Sequence, residues 1–386
     1  MTQNIIIYRD ELLSYSETFI PAQVENYASY KGFYAGTFRS RRTPYLLPTD
    51  RSLILSDFAK LTERRKIFSL VTGQRDRAWL EQLEKLAPCL IHAHFGLSGV
   101  WALPLKKRLQ IPLVVTFHGY DITVNNWSAN FRDIYGKKPV PQIYLWRRKQ
   151  LFREASCCIA VSDFIRSQLV AKGCPSDKIR VCYIGVDVER FAPDPNIVRE
   201  PIVLFVGRLA EKKGCEYLIR AMAEVQSAMP ELELAIVGDG SLRAELEEQA
   251  RQSLKRYRFL GVQSQAEVRE WMNRALMLCV PSVTDRTGNS EGLPMTVIEA
   301  QAMQLPVIGS IHAGIPEAVT DGETGFLVEE KNWQNLAQSI SILAKKDSLR
   351  KQYAIAARKQ VETKFNLKNN TAALEAIYDH ILGIRS

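Results

Sequence analysis

Ser290-Glu291-Gly292-Leu293-Pro294-Met295-Thr296-Val297-Ile298-Glu299-Ala300 decides how this chain is read. Two acids stand with seven residues between them, the first in a loop and the second inside an apolar helical run that Pro306 closes. Pro294 suits the first position of that helix, where a missing N–H costs nothing. The helix start then offers free amides, notably those of Met295 and Thr296, to an anion. Carboxylates on either side of a bound phosphate are placed to hold hydroxyls of the same ligand. That combination describes a nucleotide sugar.

Working outward, short apolar β-branched runs alternate with amphipathic stretches along the chain. In the first half they are Asn4–Tyr8, Cys89–Phe95, Pro112–His118, Cys157–Ser162 and Ile179–Gly185. In the second they are Ile202–Gly207, Leu232–Gly238, Arg258–Gly261, Leu276–Ser282, Pro306–Ser310 and Gly325–Val328. Helical periodicity fills Glu216–Met229, Ser241–Ser253 and Gln265–Asn273. Continuously apolar strands separated by helices predict parallel sheets covered on both faces. The 386 residues exceed what one core usually supports, so two domains of about 180–190 residues each are expected. The predicted layout is 1–185, a linker at 186–200 broken by Pro193 and Pro195, 201–365, and a closing helix within 366–386 packing back on the N-terminal domain. Two doubly wound domains of this kind present their strand-to-helix loops to an interdomain cleft, where ligands are expected.

Composition narrows the function class. A hydrophobic content of 46% with 24% charged residues is that of a globular protein. No apolar run approaches the length of a membrane span, and the first residues lack a secretory leader's charge and apolar pattern. A cytoplasmic location is expected. The seven cysteines form no C-x-x-C pair and read as reduced, buried thiols. Charge is uneven: residues 1–185 hold 27 Lys/Arg against 15 Asp/Glu, and the rest 24 against 27. Clusters at Arg39/Arg41/Arg42, Arg64-Arg65-Lys66, Lys106-Lys107-Arg108 and Arg147-Arg148-Lys149, the last beside Tyr144, Leu145 and Trp146, suit an anionic membrane surface. They equally suit solvated helix faces. No nucleic-acid motif accompanies them.

Four loops carry the candidate chemistry. Gly207-Arg208-Leu209-Ala210-Glu211-Lys212-Lys213-Gly214 follows a strand; Gly207 is expected to let the backbone turn sharply, while Arg208 and Lys213 grip a diphosphate leaving group. In the acid loop, Glu299 would read ribose hydroxyls and Glu291 those of the transferred sugar, with Gly292, Leu293, Pro294 and Met295 between them. Gly261 and Val262 end a strand where a planar base can approach the backbone, with Val237-Gly238-Asp239-Gly240 a similar turn; Gly309 through Glu317 is a further candidate lining. In the first half, His118 opens His-Gly-Tyr-Asp at a strand end, placed for a sugar hydroxyl or the reacting centre. His92 and His94 lie within a strand and read as core or cleft-wall residues; no metal site is expected, because no ligand-spaced carboxylate or cysteine stands beside them.

Taken in order, these residues resemble family 4 of the retaining glycosyltransferases, which have the GT-B fold of two Rossmann-like domains. The resemblance runs from Tyr15-Ser16-Glu17-Thr18-Phe19-Ile20 through His118, Gly185-Val186-Asp187, Gly207-Arg208…Lys213-Gly214 and Glu291…Glu299 to Ala313-Gly314-Ile315-Pro316-Glu317. It implies that Arg208 and Lys213 hold the donor diphosphate, Glu299 binds ribose, Glu291 contacts the donor sugar and His118 lies near the reacting centre. The Ser-Glu-Thr-Phe-Ile form is similar to that of members building exopolysaccharide, O-antigen or colanic acid on lipid carriers. Two departures stand out. The loop Arg9–Thr18 has none of the glycines that many members place near the donor phosphate, leaving hydroxyls of Ser14, Ser16 or Thr18 as substitutes, with Glu17 and Asp121 as further acceptor candidates. Pro294 also removes one amide.

The implied reaction is metal-independent transfer of a hexose from a UDP- or GDP-sugar co-substrate, with no other cofactor. The configuration is retained, and the acceptor is a hydroxyl of a lipid-linked saccharide or glycolipid at the cytoplasmic membrane face. A nucleotide-sugar 2-epimerase of the same fold is the alternative. An NAD-dependent oxidoreductase is disfavoured because no Gly-x-Gly-x-x-Gly follows either opening strand, and a non-catalytic sensor by the intact acids and cations.

Overall fold

The computed structural model describes residues 2–14, 17–39, 47–58, 76–124 and 140–384. The chain divides into two compact units, Met1–Gly185 with Leu367–Ser386, and Val186–Asn366. The first unit contains β1 (Gln3–Tyr8), β2 (Glu11–Leu12), β3 (Tyr30–Gly36), β4 (Phe38–Arg39), β5 (Ser52–Ile54), β6 (Leu90–His94), β7 (Leu113–Phe117), β8 (Cys157–Ala160) and β9 (Ile179–Val181). Seven of these form one sheet in the order β5-β3-β1-β6-β7-β8-β9, and its pairings are parallel. Ile5, Ile6 and Ile7 of β1 have no exposed surface. Both faces of that strand are therefore covered, which is why its sequence is continuously apolar rather than alternating.

The second unit repeats the plan with β10 (Ile202–Val206), β11 (Glu233–Val237), β12 (Tyr257–Gly261), β13 (Met277–Val280), β14 (Val307–Ser310) and β15 (Gly325–Val328). The order is β12-β11-β10-β13-β14-β15, again parallel. Strand order reverses on either side of β10, so the crevice beyond the carboxyl ends of β10 and β13 is the topological switch point of this sheet. In the first unit the same reversal falls between β1 and β6.

Local signals account for the helix ends that frame these loops. Gly214 sits at φ +62 before the helix Cys215–Ala228, and a Cβ there would lie 1.9 Å from the carbonyl oxygen of Pro281. Only glycine allows the β10 loop to press against the β13 loop. Ser264 and Glu267 form a reciprocal capping box at the start of Gln265–Arg274.

One difference from the sequence expectations concerns the joint that follows the first unit. Residues 186–200 lack helix and strand, yet pack as part of the second unit. The Arg199 guanidinium donates to the carbonyls of Met272, Asn273, Ala275, Met303 and Gln304, a staple rather than a loose linker. The helix Leu367–Leu382 belongs to the first unit, where Leu374 and Tyr378 join a core with Ile5, Ile7 and Tyr30. All seven cysteines are free, six buried and Cys89 half-buried.

Candidate active site

At the switch point of the second unit, the β10 and β13 loops meet through charge. Residues Glu211–Lys213 form a 3-10 turn that brings two successive lysines to one carboxylate. Lys213 Nζ lies 3.0 Å and Lys212 Nζ 3.3 Å from Glu291 Oε1. Burial pushes the Glu291 carboxyl up, but the two ammonium groups outweigh it and hold the carboxyl well below its usual range. Burial draws Lys212 down. The Arg208 guanidinium is exposed and, among the described residues, has no side-chain partner. Two cations thus face one acid with a third in the same loop, an excess that suits a polyanionic ligand.

The backbone of Glu291 is held separately. Its N–H donates to His312 Nε2 at 3.2 Å, and His312 Nδ1 lies 2.6 Å from Glu330 Oε1. Because Nε2 accepts, the proton of neutral His312 sits on Nδ1 and is donated to Glu330. Glu330 also accepts from the Thr284 amide, at the opposite end of the same loop. Between these anchors, buried Asp285 accepts from the Thr287 hydroxyl and amide and from the Asn289 amide, winding residues 285–289 into a tight turn. Sequence reasoning missed Lys212, Asp285 and Glu330, and it named the stretch containing His312 without giving that residue a role.

Pro294 precedes the helix Met295–Ala302 as its N-cap, with an extended ψ of 114, rather than occupying its first position. The proline ring still fixes the entry, and its carbonyl accepts from the Val297 amide. Among the described residues the Met295 and Thr296 amides meet no acceptor. Gly292 and Leu293 are buried, so what they offer a ligand is backbone. Glu299, inside this helix, is also buried. Burial raises its carboxyl to about 7, with Arg190 pulling the other way. Among the described residues its carboxylate has no hydrogen bond or ion pair, an unpaired state that a buried acid rarely keeps without a ligand to meet.

The chain bends at Gly207, but the bend does not require glycine, since a Cβ there would make only ordinary contact with the Lys213 stem at 3.6 Å. The glycine that the loop requires is Gly238, at φ +128, whose Cβ would lie 1.9 Å from the Gly207 oxygen. Gly261 adopts φ +69 and its carbonyl accepts from the Gly238 amide; Val262 beside it is exposed.

The first unit builds a different kind of site. Arg9 and Glu17 form a buried ion pair at 2.8 Å, with Arg9 also reaching Ser98 Oγ and lying 4.5 Å over the Phe95 ring. Glu17 further accepts from the Ser14 amide at 3.3 Å. Its carboxylate is therefore spent inside the loop rather than turned to an acceptor. Ser14 and Thr18 are partly exposed, whereas Ser16 lies outside the described residues. Asp121 is fully buried and accepts from the amides of Gly96, His118 and Gly119. It ties the His118 loop to the helix Gly96–Leu109 and offers nothing to a ligand. Burial raises its carboxyl to about 6, against those amide bonds.

His118 projects from the end of β7, partly exposed. Its Nε2 lies 3.1 Å from His94 Nδ1, and its ring packs 4.4 Å from Phe95 and 4.9 Å from Phe19. Behind it His92 bonds Thr116 Oγ1 and the Tyr378 hydroxyl, both at 2.6 Å. Burial keeps all three imidazoles neutral, with His92 lowered to about 3 and the other two also well below their ordinary value. His92 and His94 are fully buried core residues, and no group of three metal-ligating side chains occurs among the described residues.

With this geometry in view, similarity to known proteins follows the same two halves. Residues 38–190 match the family model described as Glycosyltransferase Family 4, and residues 187–360 match that of Glycosyl transferases group 1. The amylovoran biosynthesis glycosyltransferase AmsK of Erwinia amylovora is 30% identical over 351 residues, covering 84% of this chain and 82% of its own. The putative colanic acid biosynthesis glycosyltransferase WcaL of Escherichia coli is 31% identical, covering 71% of this chain and 66% of its own. Among solved structures, sucrose-phosphate synthase from Thermosynechococcus elongatus superposes with a TM-score of 0.76 at 19% identity over the full length of both chains. Anabaena HepE in complex with UDP and glucose gives 0.75 at 18%, covering 98% of this chain and all of its own. These likenesses show the GT-B architecture of two parallel-sheet α/β domains, and together with the curated relatives they place this chain in the family 4 glycosyltransferases.

Proposed function

We propose that this glycosyltransferase moves a hexose from a nucleoside diphosphate sugar to a hydroxyl of a lipid-linked saccharide, with retained configuration, in the synthesis of a surface polysaccharide. The observation that carries the donor half is the loop that sets Lys213 on Glu291 and leaves Arg208 exposed, with the Met295 and Thr296 amides, unpaired among the described residues, opening the helix that follows Glu291. Positive charge fixed there stabilises a departing diphosphate without a divalent ion. Glu299 takes the ribose hydroxyls and Glu291 those of the transferred sugar, with Gly261 and Val262 beside the base. HepE, by its description, holds UDP and glucose, which supports a uridine donor. Among the described residues no side chain presents itself as a nucleophile, so front-face attack, with the leaving phosphate taking the acceptor's proton, is the route assigned.

The names of AmsK and WcaL refer to amylovoran and colanic acid biosynthesis, which supports a polysaccharide acceptor. These relatives lend no support to the epimerase alternative. The acceptor is assigned to the first unit, with His118 beside the reacting hydroxyl. Among the described residues no helix is long and apolar enough to cross a membrane. A peripheral attachment is assigned to the helix Val140–Glu154, where Trp146 is 80% exposed beside Arg147, Arg148 and Lys149. Other basic residues are used locally: Arg108 pairs with Glu84, and Lys106 donates to the Glu154 carbonyl.

The test is a screen of radiolabelled UDP-, GDP- and ADP-sugars with membrane lipid extract, followed by NMR of the product's anomeric configuration. Transfer from one donor class with retention is expected. Transfer with inversion would reject the mechanism, and sugar-nucleotide isomerisation without transfer would reject the function.

A further inference from the structure

Two lysines share one oxygen of Glu291, and they are not equivalent. The Lys212 side chain is 9% exposed against 16% for Lys213. The Lys212 carbonyl accepts from the Val283 amide at 2.9 Å, which pins that residue to the β13 loop. Lys213 instead runs its stem past Gly207, where the missing side chain leaves room. Of the two, Lys213 is the more exposed, while Lys212 is more deeply buried and its backbone is tied to the β13 loop.

We infer that Lys212 is a positioning residue, the standing counter-ion that keeps Glu291 ionised and aimed when Lys213 is drawn to the donor diphosphate. This rests on the donor site proposed above. With Lys213 engaged elsewhere, a carboxylate as buried as Glu291 would be left without compensation unless a second cation remained, and burial would then favour its protonated form. A protonated Glu291 accepts fewer hydrogen bonds from sugar hydroxyls. The groups that face Glu291 are few. Lys212 and Lys213 come from the 3-10 turn, with Arg208 in the same loop; His312 comes from the segment after β14, backed by Glu330 after β15. Asp285 on its own loop is engaged with Thr287 and Asn289. His312 holds the amide and leaves the carboxylate to the lysines, so removing Lys212 takes away the one cation the donor does not claim.

The experiment is a pH profile of kcat/KM with UDP-glucose as probe, from pH 5.5 to 9, for the wild type, Lys212→Met, Lys212→Arg, Glu291→Gln and the Lys212→Met/Glu291→Gln pair. The Lys212→Met variant should lose roughly tenfold toward the acid end, the cost of about one pH unit's protonation. Lys212→Arg should restore the wild-type shape, and the Glu291→Gln background should erase the acid limb. UDP affinity by calorimetry should stay within about threefold in Lys212→Met, since the phosphate ligands remain. A uniform, pH-independent loss would overturn the inference in favour of a packing role. A fall in UDP affinity as large as that of Lys213→Ala would make Lys212 a phosphate ligand instead. Should Lys212→Met not fold, infrared difference spectra of the wild type on UDP binding at pH 6, with Glu291→Gln as blank, decide the matter. A protonated-carboxyl band from Glu291 sinks the proposal, and its absence supports it. A wild type that binds neither UDP nor GDP rejects the donor site itself, and this inference with it.

Discussion

The two units share one topology and use their switch points in opposite ways. In the first, charge is internally consumed: Arg9 is matched by Glu17, Asp121 by three amides, and three neighbouring imidazoles are neutral. In the second, charge is left over: two lysines lean on one carboxylate, and a buried acid in the adjoining helix has, among the described residues, no side-chain hydrogen bond or ion pair. The first is organised to hold a shape and the second to receive an anion. A neutral, shaped surface suits a hydroxyl acceptor, and an over-cationic one suits a diphosphate. Breaking each arrangement should therefore produce different losses.

The largest effect is expected from Arg9→Met, which strands Glu17 in the interior. Removing one member of a buried pair costs about 3–5 kcal/mol, whereas replacing both members with apolar residues recovers most of that. Urea unfolding should show the first unit destabilised in Arg9→Met and largely restored in Arg9→Met/Glu17→Met. UDP affinity of the folded variant should not change. A loss of UDP binding equal to the loss of stability would erase the contrast.

Lys213→Ala comes next and should do the reverse. Turnover is expected to fall about 10²–10³-fold, the scale seen when one preorganised donor to a developing anion is removed, with stability nearly unchanged. Single-turnover assays with the donor identified by screening supply the measurement. Arg208→Ala should behave alike, and unchanged transfer in either variant would remove the role assigned to these cations.

The contrast also shows what a linear chain reveals. The sheets were legible because strands buried on both faces are continuously apolar, and each run from β6 to β15 was located to within a few residues of its observed ends. β3 was not, because Gly32 and Gly36 interrupt the pattern in Tyr30–Gly36; a Cβ at Gly32 would lie 2.4 Å from Val24 Cγ1. The need for that glycine comes from a helix packed over the strand, which no local pattern records. The pairing of Lys213 with Glu291 was legible because strand-end loops converge at a switch point. Lys212 was not, since one of two adjacent lysines ordinarily faces solvent, and only the 3-10 turn puts both on the same acid. The His312–Glu330 link joins loops after different strands, with no fixed spacing to betray it. Glu17 and Asp121 were seen as polar groups near a cleft, but burial and their amide partners belong to the folded chain.

Glu299→Gln sharpens the second unit's half of the comparison. The carboxyl stands at about 7 when folded, above its ordinary 4.5. The folded state therefore holds an extra proton between those values, and stability contributed by the protonated acid is fully present below pH 4.5 and lost as pH rises through 7. The ionised acid is a burden on the order of 3 kcal/mol at pH 8. Glutamine keeps the shape without the charge, so the variant should melt higher than the wild type at pH 8 and by a smaller margin at pH 5. Its UDP affinity should be about 10–100-fold weaker, the value of hydrogen bonds to a charged acceptor. Equal melting differences at both pH values would mean that Glu299 already has a partner.

Tyr378→Phe probes the first unit at its most hidden joint. The hydroxyl lies 2.6 Å from His92 Nδ1 and 3.0 Å from the Tyr27 hydroxyl, and it comes from the helix Leu367–Leu382 at the far end of the chain. Burial raises this phenol well above its ordinary value, so it stays protonated and donates to His92. His92 Nε2–H then donates to Thr116, and the imidazole is fixed in one tautomer beside His94. Phenylalanine leaves Nδ1 buried without a donor, at a cost of about 1–3 kcal/mol. The loss should appear in urea melts, while UDP binding stays as in the wild type. Because the imidazole behind the His118 wall is no longer oriented, acceptor KM should rise modestly while donor KM holds. If both KM values moved together, the division between a shaped neutral site and a charged receiving one would not be real.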